Sequence, residues 1–340
     1  MVNDRRSKST ITLSDVARAA GVSVATASKA LNNRSQVKAE TRERVLAAAA
    51  SLSFTPNPFA KALNSARTGT IGMLTNGLES RFVLPVLRGA EDAFGAGSTS
   101  VLLCDARGDA VREQHHIRTL LARRVDGIVI LGTTTNPRES ITADISVPVV
   151  YAYAPSADPA DSSFTPDNAL AGELAAQHLI ERGRRRIALV NGEPSFVAAS
   201  DRTTGVVRAL AAHGLELAGG AALYGQWSES WGRQCAEALM SAHSDIDAII
   251  CASDHIARGT LDYLREHSIR VPQEVAVIGF DNWRPLVEGA RPPLTSIDME
   301  LEDLGRSVAR ELSLAINGEA SPGVQHLPVR LVPRESSAPA

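Results

Sequence analysis

The sequence predicts a two-part chain: a small all-helical head of helix-turn-helix type, followed by a large α/β body of two doubly wound lobes. Three observations carry this. Residues 12–52 repeat apolar residues at helical spacing around a Gly-containing turn. Beyond residue 69, short apolar runs alternate with helical patterns, the texture of parallel sheets covered by helices. The charge is also divided: residues 1–67 carry 11 Lys or Arg against 4 Asp or Glu, and the remainder 24 against 34. A basic head on an acidic body suits a protein that docks its head on phosphate.

In the head, Thr12 is placed to cap a first helix, with Asp15 three residues on in capping-box position. Leu13, Val16, Ala17 and Ala20 fall at i, i+3, i+4 and i+7 and form one apolar stripe. Gly21 suits the left-handed residue of a tight turn, and Ser23 can cap the next helix at once. On that second helix Ala27, Ala30 and Leu31 point inward. Val24, Ala25, Ser28, Lys29 and Asn32 take the other side. The N-terminal end of such a helix meets base edges in the major groove. Lys29 can donate to guanine, whereas Val24 and Ala25 can only touch thymine methyls or exclude them. A plain helical hairpin with a solvated face is the alternative at this point.

A third helix opens at Thr41-Arg42, with Val45, Ala48, Ala49 and Leu52 as its stripe, and Pro56-Asn57-Pro58 follows. Taken together, the Thr12-Leu13-x-Asp15-Val16-Ala17 opening, Gly21-Val22-Ser23, Thr26-x-Ser28, Leu31-Asn32, Thr41-Arg42 and Pro56-Asn57-Pro58 resemble the lactose-repressor/galactose-repressor (LacI/GalR) family of transcription factors. The resemblance implies DNA contacts by Thr12, Leu13, Ser23, Val24, Ala25, Thr26, Ser28, Lys29 and Asn32. It also implies a hinge helix carrying Asn57, Ala60 and Leu63. Asn57 can cap that helix and Pro58 suits its first position. The resemblance places the family's intercalating leucine at Leu63, an apolar wedge that kinks the duplex from the minor groove; the alternative is that Leu63 packs the hinge on the body.

In the body, strands are expected at 71–74, 101–104, 127–131, 147–151, 187–190, 248–251 and 275–279. Helices are expected at 84–94, 111–123, 169–182, 202–213, 231–242 and 256–267. There are too many strands for one ordinary sheet, which argues for two lobes. The resemblance extends here, and implies a periplasmic-binding-protein-like effector domain whose lobes are joined by three chain crossings. The expected boundaries are 1–56 for the helix-turn-helix domain, 57–68 for the hinge helix and linker, and 69–340 for the effector-binding and dimerisation domain. Lobe N would hold about 69–165 and 297–322, and lobe C about 166–296 and 323–340, with the third crossing near Pro322-Gly323.

Ligands in open α/β sheets sit beyond the C-terminal ends of strands. By resemblance, Arg202 in its Arg-x-x-Gly pattern with Gly205 is the effector arginine, a rigid fork of donors for vicinal hydroxyls. Asp281, directly after a strand, can accept from two hydroxyls, and Trp227 matches a position that packs on the effector ring. Asn76, Phe82 and Tyr153 follow other strands. Ser253 stands in Ser253-Asp254 where the family usually has Asn-Asp, which loosens any transfer of ligand identity. The plain alternatives are a capping or surface-paired Arg202, a turn residue at Asp281, an interface-core Trp227, and core packing for Phe82 and Tyr153.

Other chemistry is poorly supported. Cys104, Cys235 and Cys251 have no metal-ligand spacing and read as buried free thiols; His115-His116 reads as a solvated helix face. No Gly-x-Ser-x-Gly elbow, phosphate loop or His-Glu-x-x-His helix is present, so neither an enzyme, a metal nor a cofactor is expected. The polar, Arg-rich start and the lack of a long apolar run lead to an expectation of a cytoplasmic protein with frayed ends at 1–11 and 334–340. The function expected is a homodimeric, sequence-specific DNA-binding regulator on pseudo-palindromic operator DNA, a repressor of carbohydrate-use genes controlled by a sugar-like effector between the lobes. The alternatives are a purine- or nucleoside-responsive regulator, or a cytoplasmic sugar-binding or sugar-processing protein with an accessory DNA-binding head.

Overall fold

The computed structural model describes residues 11–31, 36–54, 67–95 and 99–338. Contacts divide the chain into two units, Met1–Thr68 and Gly69–Ala340.

In the first unit α1 (Leu13–Ala20) begins on the reciprocal box read from the sequence. Thr12 accepts from the Asp15 amide, and Asp15 Oδ2 accepts from the Thr12 amide at 3.0 Å. Gly21 ends α1 in the left-handed region at φ 65°, where a side chain is disfavoured. Ser23 Oγ then accepts from the Thr26 amide at 3.1 Å at the start of α2 (Val24–Leu31). Helix α3 (Ala39–Ser51) begins two residues before Thr41, since Ala39 and Glu40 are good helix formers and Lys38 supplies no side-chain cap. Val16, Ala17, Ala20, Ala27, Ala30, Val45, Ala48 and Ala49 form the core. Such small side chains let three short helices approach closely, and each buries little area, so the unit is held by many small contributions. Asn32 and the expected hinge helix with Asn57, Ala60 and Leu63 lie outside the described residues.

The second unit starts with β1 (Thr70–Thr75), α4 (Val83–Phe94), β2 (Ser100–Asp105), α5 (Ala110–Ala122), β3 (Gly127–Leu131), β4 (Val149–Ala152) and β5 (Ser162–Pro166). The chain then crosses to a second lobe. That lobe is built from α6 (Asn168–Glu181), β6 (Ile187–Asn191), α7 (Val197–Ala212), β7 (Leu223–Tyr224), α8 (Glu229–Ala242), β8 (Ala248–Cys251), α9 (Asp254–Glu266), β9 (Ala276–Phe280), the short α10 (Arg284–Val287) and β10 (Thr295–Asp298). It returns through α11 (Leu301–Ile316) and β11 (Gly323–Leu327) to the first lobe, and ends in the second at β12 (Arg330–Val332). The first sheet runs β11-β5-β4-β3-β1-β2, all parallel. The second runs β12-β10-β9-β8-β6-β7, parallel except for β12 against β10.

Sheet pairing corrects two expected boundaries. β11 pairs in parallel with β5 from Gly323↔Ser162 to Leu327↔Pro166, so 323–327 belong to the first lobe. The third crossing is therefore at Pro328-Val329, not near Pro322-Gly323. β10 pairs with β9, so the chain stays in the second lobe through Asp298 rather than leaving at 297. The C-terminal segment is likewise docked rather than frayed through residue 338. Ser336 and Ser337 are buried; Ser336 Oγ donates to the Val277 carbonyl at 2.6 Å and accepts from the Thr295 amide at 2.8 Å.

β5 escaped the apolar pattern because it reads Ser-Ser-Phe-Thr-Pro, yet it lies in the sheet interior. Its hydroxyls are satisfied internally, as burial requires: Ser162 Oγ donates to the Ser321 carbonyl at 2.8 Å, and Ser163 Oγ accepts from the Ser156 amide at 3.0 Å. Cys235 and Cys251 are buried, and burial pushes both thiols up to about 12, so they stay protonated; Cys104 is half-buried.

Candidate functional site

Strands of both sheets end on one cleft of about 180 Å³. The first lobe contributes Arg81 and Phe82 from the β1–α4 loop, Thr133, Thr134 and Thr135 after β3, and Tyr153 after β4. The second contributes Phe196 and Ala198 after β6, Arg202 on α7, Trp227 after β7, and Asp281 after β9.

Arg202 owes its position to two glycines. A Cβ on Gly172 of α6 would lie 2.1 Å from the Arg202 carbonyl oxygen, and one on Gly205 of α7 would lie 1.9 Å from that of Ala169. Without side chains there, α6 and α7 pack backbone to backbone, and Arg202 is carried to the cleft floor. It is 2% exposed. Nε donates to Asn168 Oδ1 at 2.9 Å, Nη1 donates to the Ala252 carbonyl, and Nη2 stands 3.8 Å from Asp281 Oδ1. The guanidinium also lies over the Phe280 ring, 4.8 Å from its centroid.

Asp281 leaves β9 at φ 94°, a region that a residue with a side chain occupies only at a cost. The bond from its amide to the Ile297 carbonyl, 2.8 Å, holds it there. Trp227 lies against the backbone of Gly192, where a Cβ would come within 2.0 Å of the indole. Phe196 meets it edge-on at 5.7 Å. Across the cleft Phe82 and Tyr153 stack at 4.8 Å. Burial, and then the charge of Asp281, pushes the Tyr153 hydroxyl well above its usual range, so it is neutral.

Among the described residues, side-chain hydrogen bonds from Arg81 and Asn136 tie the lobes together. Arg81 Nη2 of the first lobe donates to Asp281 Oδ2 of the second. Asn136 Nδ2 donates to the Ser195 carbonyl at 3.0 Å, and its Oδ1 accepts from the Val197 amide at 2.8 Å. Behind Asp281, Asp254 is 1% exposed. Its Oδ1 accepts from Ser296 Oγ and its Oδ2 from the Trp283 amide, each at 2.7 Å. Burial first, and then the Asp281 charge, raises its carboxyl to about 8. Despite this network, four buried polar atoms at the cleft have no hydrogen-bond partner among the described residues: Arg81 Nε, Thr135 Oγ1, Trp227 Nε1 and Asp281 Oδ1. Buried polar groups are rarely left so, and four in one cavity describe a place for a polar ligand.

Of the residues singled out in the sequence, Phe82, Tyr153, Arg202, Trp227 and Asp281 come together here. Asn76 and Ser253 do not line the cavity. Asn76 is half-buried just past β1, and Ser253 is a buried helix cap whose Oγ accepts from the Ile256 amide at 3.3 Å. Phe82 and Tyr153 are wall and core at once, since Tyr153 also joins the first lobe's apolar cluster. Sequence reading passed over Arg81, Thr133, Thr134, Thr135 and Phe196. The rule that ligands sit past strand ends pointed to their loops, and Gly132-Thr-Thr-Thr directly after β3 was the signal available. In the head, Ser23, Val24, Ala25 and Lys29 are exposed together, Thr26 and Ser28 are half-buried beside them, and Thr12 is exposed and Leu13 half-buried at the start of α1. Among the described residues, no group of three or more His, Cys, Asp or Glu is arranged to hold a metal ion, and no helix is long and apolar enough to cross a membrane.

Comparison with known proteins bears on both units. Residues 12–57 match the family model of bacterial regulatory proteins of the lacI family, and residues 176–337 match that of the periplasmic binding protein-like domain. The sequence is 34% identical to catabolite control protein A of Staphylococcus epidermidis over 311 residues, 91% of this chain and 94% of the relative. Among solved structures, a lac repressor dimer bound to operator and the anti-inducer ONPF aligns with a TM-score of 0.75 at 28% identity, covering 97% of this chain and 99% of that one. A complex of the transcriptional regulator CelR with cellobiose aligns at 0.66 and 31% identity, covering 96% and 99%.

Proposed function

The chain belongs to the lacI family of bacterial regulatory proteins and is a DNA-binding transcriptional regulator; from that premise we propose that it is a homodimeric repressor of carbohydrate-use genes, released by a small sugar-like effector. The observation that carries the effector reading is the set of four unpartnered buried polar atoms around one interlobe cavity. A polyol supplies what they lack: hydroxyls that donate to Asp281 Oδ1 and accept from the Trp227 indole and the Arg81 Nε–H. The relatives fit this reading, since one solved neighbour is described with an operator and an anti-inducer and another with cellobiose.

The head supports the DNA side of the proposal. Val24 and Ala25 are exposed at the N-terminal end of α2, the part of a recognition helix that meets base edges, and Lys29 is exposed in its last turn. One such helix reads a half-site, so two copies on a pseudo-palindromic operator supply the specificity, and the protein works in the cytoplasm where that DNA lies. The effector touches both lobes, so its binding energy bears on their relative setting. A differential affinity of about 1–3 kcal/mol for the released state is what such coupling typically provides. The aromatic pairs Phe82–Tyr153 and Phe196–Trp227 would also accept a nucleobase, which keeps a purine or nucleoside as the second reading.

The test is a thermal-shift screen of sugars and nucleobases on the whole protein, repeated with operator DNA selected from random sequence. The expected hit stabilises the free protein and lowers operator affinity. Nucleobase hits alone would replace the sugar reading. A ligand whose binding survives Trp227→Ala and Asp281→Asn unchanged would remove the cleft from the proposal.

A further inference from the structure

We propose that the effector is a small polyol bearing an anionic oxygen group, a carboxylate or a phosphate, and that Arg81 is the residue that selects it. The inference rests on the reading of the interlobe cavity as the effector site. It comes from counting donors and acceptors at the walls. Among the described residues, two guanidiniums line the cavity, Arg81 from the first lobe and Arg202 from the second, against one carboxylate, Asp281. That carboxylate is shared: its Oδ2 takes Arg81 Nη2, and its Oδ1 stands 3.8 Å from Arg202 Nη2. The neighbouring Asp254 does not make up the balance. It lies behind the wall, with both oxygens already engaged by Ser296 Oγ and the Trp283 amide. Asp201, next to Arg202 in sequence, is not among the lining residues either.

The atoms left without partners tell the same story. Arg81 Nε and Trp227 Nε1 can only donate, Thr135 Oγ1 can do either, and Asp281 Oδ1 is the single pure acceptor. A neutral sugar offers hydroxyls that give about as many hydrogen bonds as they take. A donor-rich wall with one positive charge in excess is better matched by a ligand that has hydroxyls for Asp281 and negatively charged oxygens for the guanidinium fork. Arg202 is committed on two of its nitrogens within its own lobe, to Asn168 and Ala252. Arg81 has Asp281 as its single hydrogen-bond partner among the described residues, keeps 25% of its side chain exposed, and lies over the Phe82 ring at 4.6 Å and the Trp283 ring at 5.9 Å. It can therefore turn toward an incoming anion without breaking a helix or a strand. Because Arg81 also bridges the lobes, the charge of the ligand and the setting of the lobes meet at one side chain. The cavity, about 180 Å³, shares Arg81, Phe82 and Asp281 with a neighbouring cavity of about 490 Å³, so single-ring compounds serve as the first probes.

The experiment titrates the full-length protein, by tryptophan fluorescence and thermal shift at constant ionic strength, with matched sets sharing one skeleton. The sets are glucose, glucuronate and glucose 6-phosphate; galactose and galacturonate; ribose and ribose 5-phosphate. Inorganic phosphate is added as a probe that needs no ring. The expected result is that phosphate binds weakly but saturably, and that the anionic member of at least one set binds about tenfold to a hundredfold tighter than its neutral parent, as a charged hydrogen bond provides. Comparing carboxylate with phosphate within a set identifies which anion is used. Arg81→Gln should remove the preference and Arg81→Lys should keep most of it; circular dichroism melts confirm that both are folded. The inference is overturned if the neutral member binds as tightly as the anionic one, if Arg81→Gln keeps the preference, or if neither phosphate nor any anionic member shifts the protein more than matched sodium chloride. Anion binding that survives Trp227→Ala with unchanged affinity would instead put the ligand elsewhere and overturn the effector-cleft reading itself.

Discussion

Replacing Arg202 by Met keeps the length of the side chain and removes its charge and its donors, and so measures what the arginine contributes to its own lobe. The variant loses two hydrogen bonds from a charged donor, to Asn168 Oδ1 and the Ala252 carbonyl, and orphans both acceptors beneath α7. Bonds of that kind contribute about 1.5–3 kcal/mol each, hence roughly 3–6 kcal/mol gross. Removing a buried ion also recovers desolvation energy, while Asp281 keeps Arg81 as a partner and is not stranded. Breaking one side of a buried ionic network typically costs about 3–5 kcal/mol, and that range is expected here. A body of this size loses about 2–4 °C of midpoint per kcal/mol, so Arg202→Met should lower the midpoint by roughly 6–20 °C. The assay is thermal unfolding of the full chain followed at the tryptophans and by calorimetry, with Arg202→Lys as an intermediate case. A drop of less than about 2 °C with loss of the effector response would refute the reasoning. Arg202 would then be a ligand-facing group with no structural part, as the motif alone suggests.

The α6–α7 contact gives a second test. Gly205→Ala puts a Cβ 1.9 Å from a backbone oxygen that cannot yield, so the helices must separate, at a cost of about 1–3 kcal/mol and with altered Trp227 emission; an unshifted melt would show that the contact relaxes freely. Asp254 gives a pH signature. Its folded-state value of about 8 against 3.8 means that the native body keeps a proton the unfolded chain releases. Its contribution therefore makes stability fall as pH rises between those values, by up to roughly 1.4 kcal/mol per pH unit. Asp254→Asn should flatten that slope in denaturant titrations from pH 5 to 8, and parallel wild-type and variant profiles would count against a protonated Asp254. In the head, Thr12→Ala removes the capping box and should weaken α1 by about 0.5–2 kcal/mol, read as faster amide exchange over residues 13–20; unchanged protection would rule the cap unimportant. Lys29→Ala should relax base preference at one or two operator positions at a cost of about 1–3 kcal/mol; a uniform loss over all sequences would make Lys29 a phosphate contact instead.

Local chemistry explains what was legible in advance. Capping box, apolar stripe and left-handed glycine in α1 depend on residues within one or two turns, so the sequence carries them fully, and the structure reproduces each. The alternation of apolar strands and amphipathic helices likewise located seven strands and six helices of the two lobes to within a residue or two, except where α7 begins at Val197 rather than Arg202, but it gave no range for α11 (Leu301–Ile316), β7, β10 or β12. The early start has a simple source: Val197-Ala-Ala-Ser-Asp carries no apolar periodicity, and its helix is fixed by the cleft loop before it, where the Val197 amide is bound to Asn136 of the other lobe. Elements whose burial is polar, such as β5, or whose face is exposed, such as β11, escaped the pattern, because their place is set by neighbours distant in sequence.

The helical head and the two-lobed α/β class were legible in the chain itself, since motif and periodicity are local; Asp281 stood out by its place after a strand, and Arg202 and Trp227 by the family resemblance. Which of these side chains already have partners became visible only in the packed fold. Arg202 turned out to be largely used up by Asn168 and Ala252, Ser253 to be spent on capping α9, and Asp281 to be shared with Arg81, a residue 200 positions away. Likewise, the third crossing moved because β11 found its hydrogen bonds on β5. Satisfaction of buried donors and acceptors is a property of the packed whole: no span of sequence states which partner a side chain will find, and the atoms that find none define the cleft.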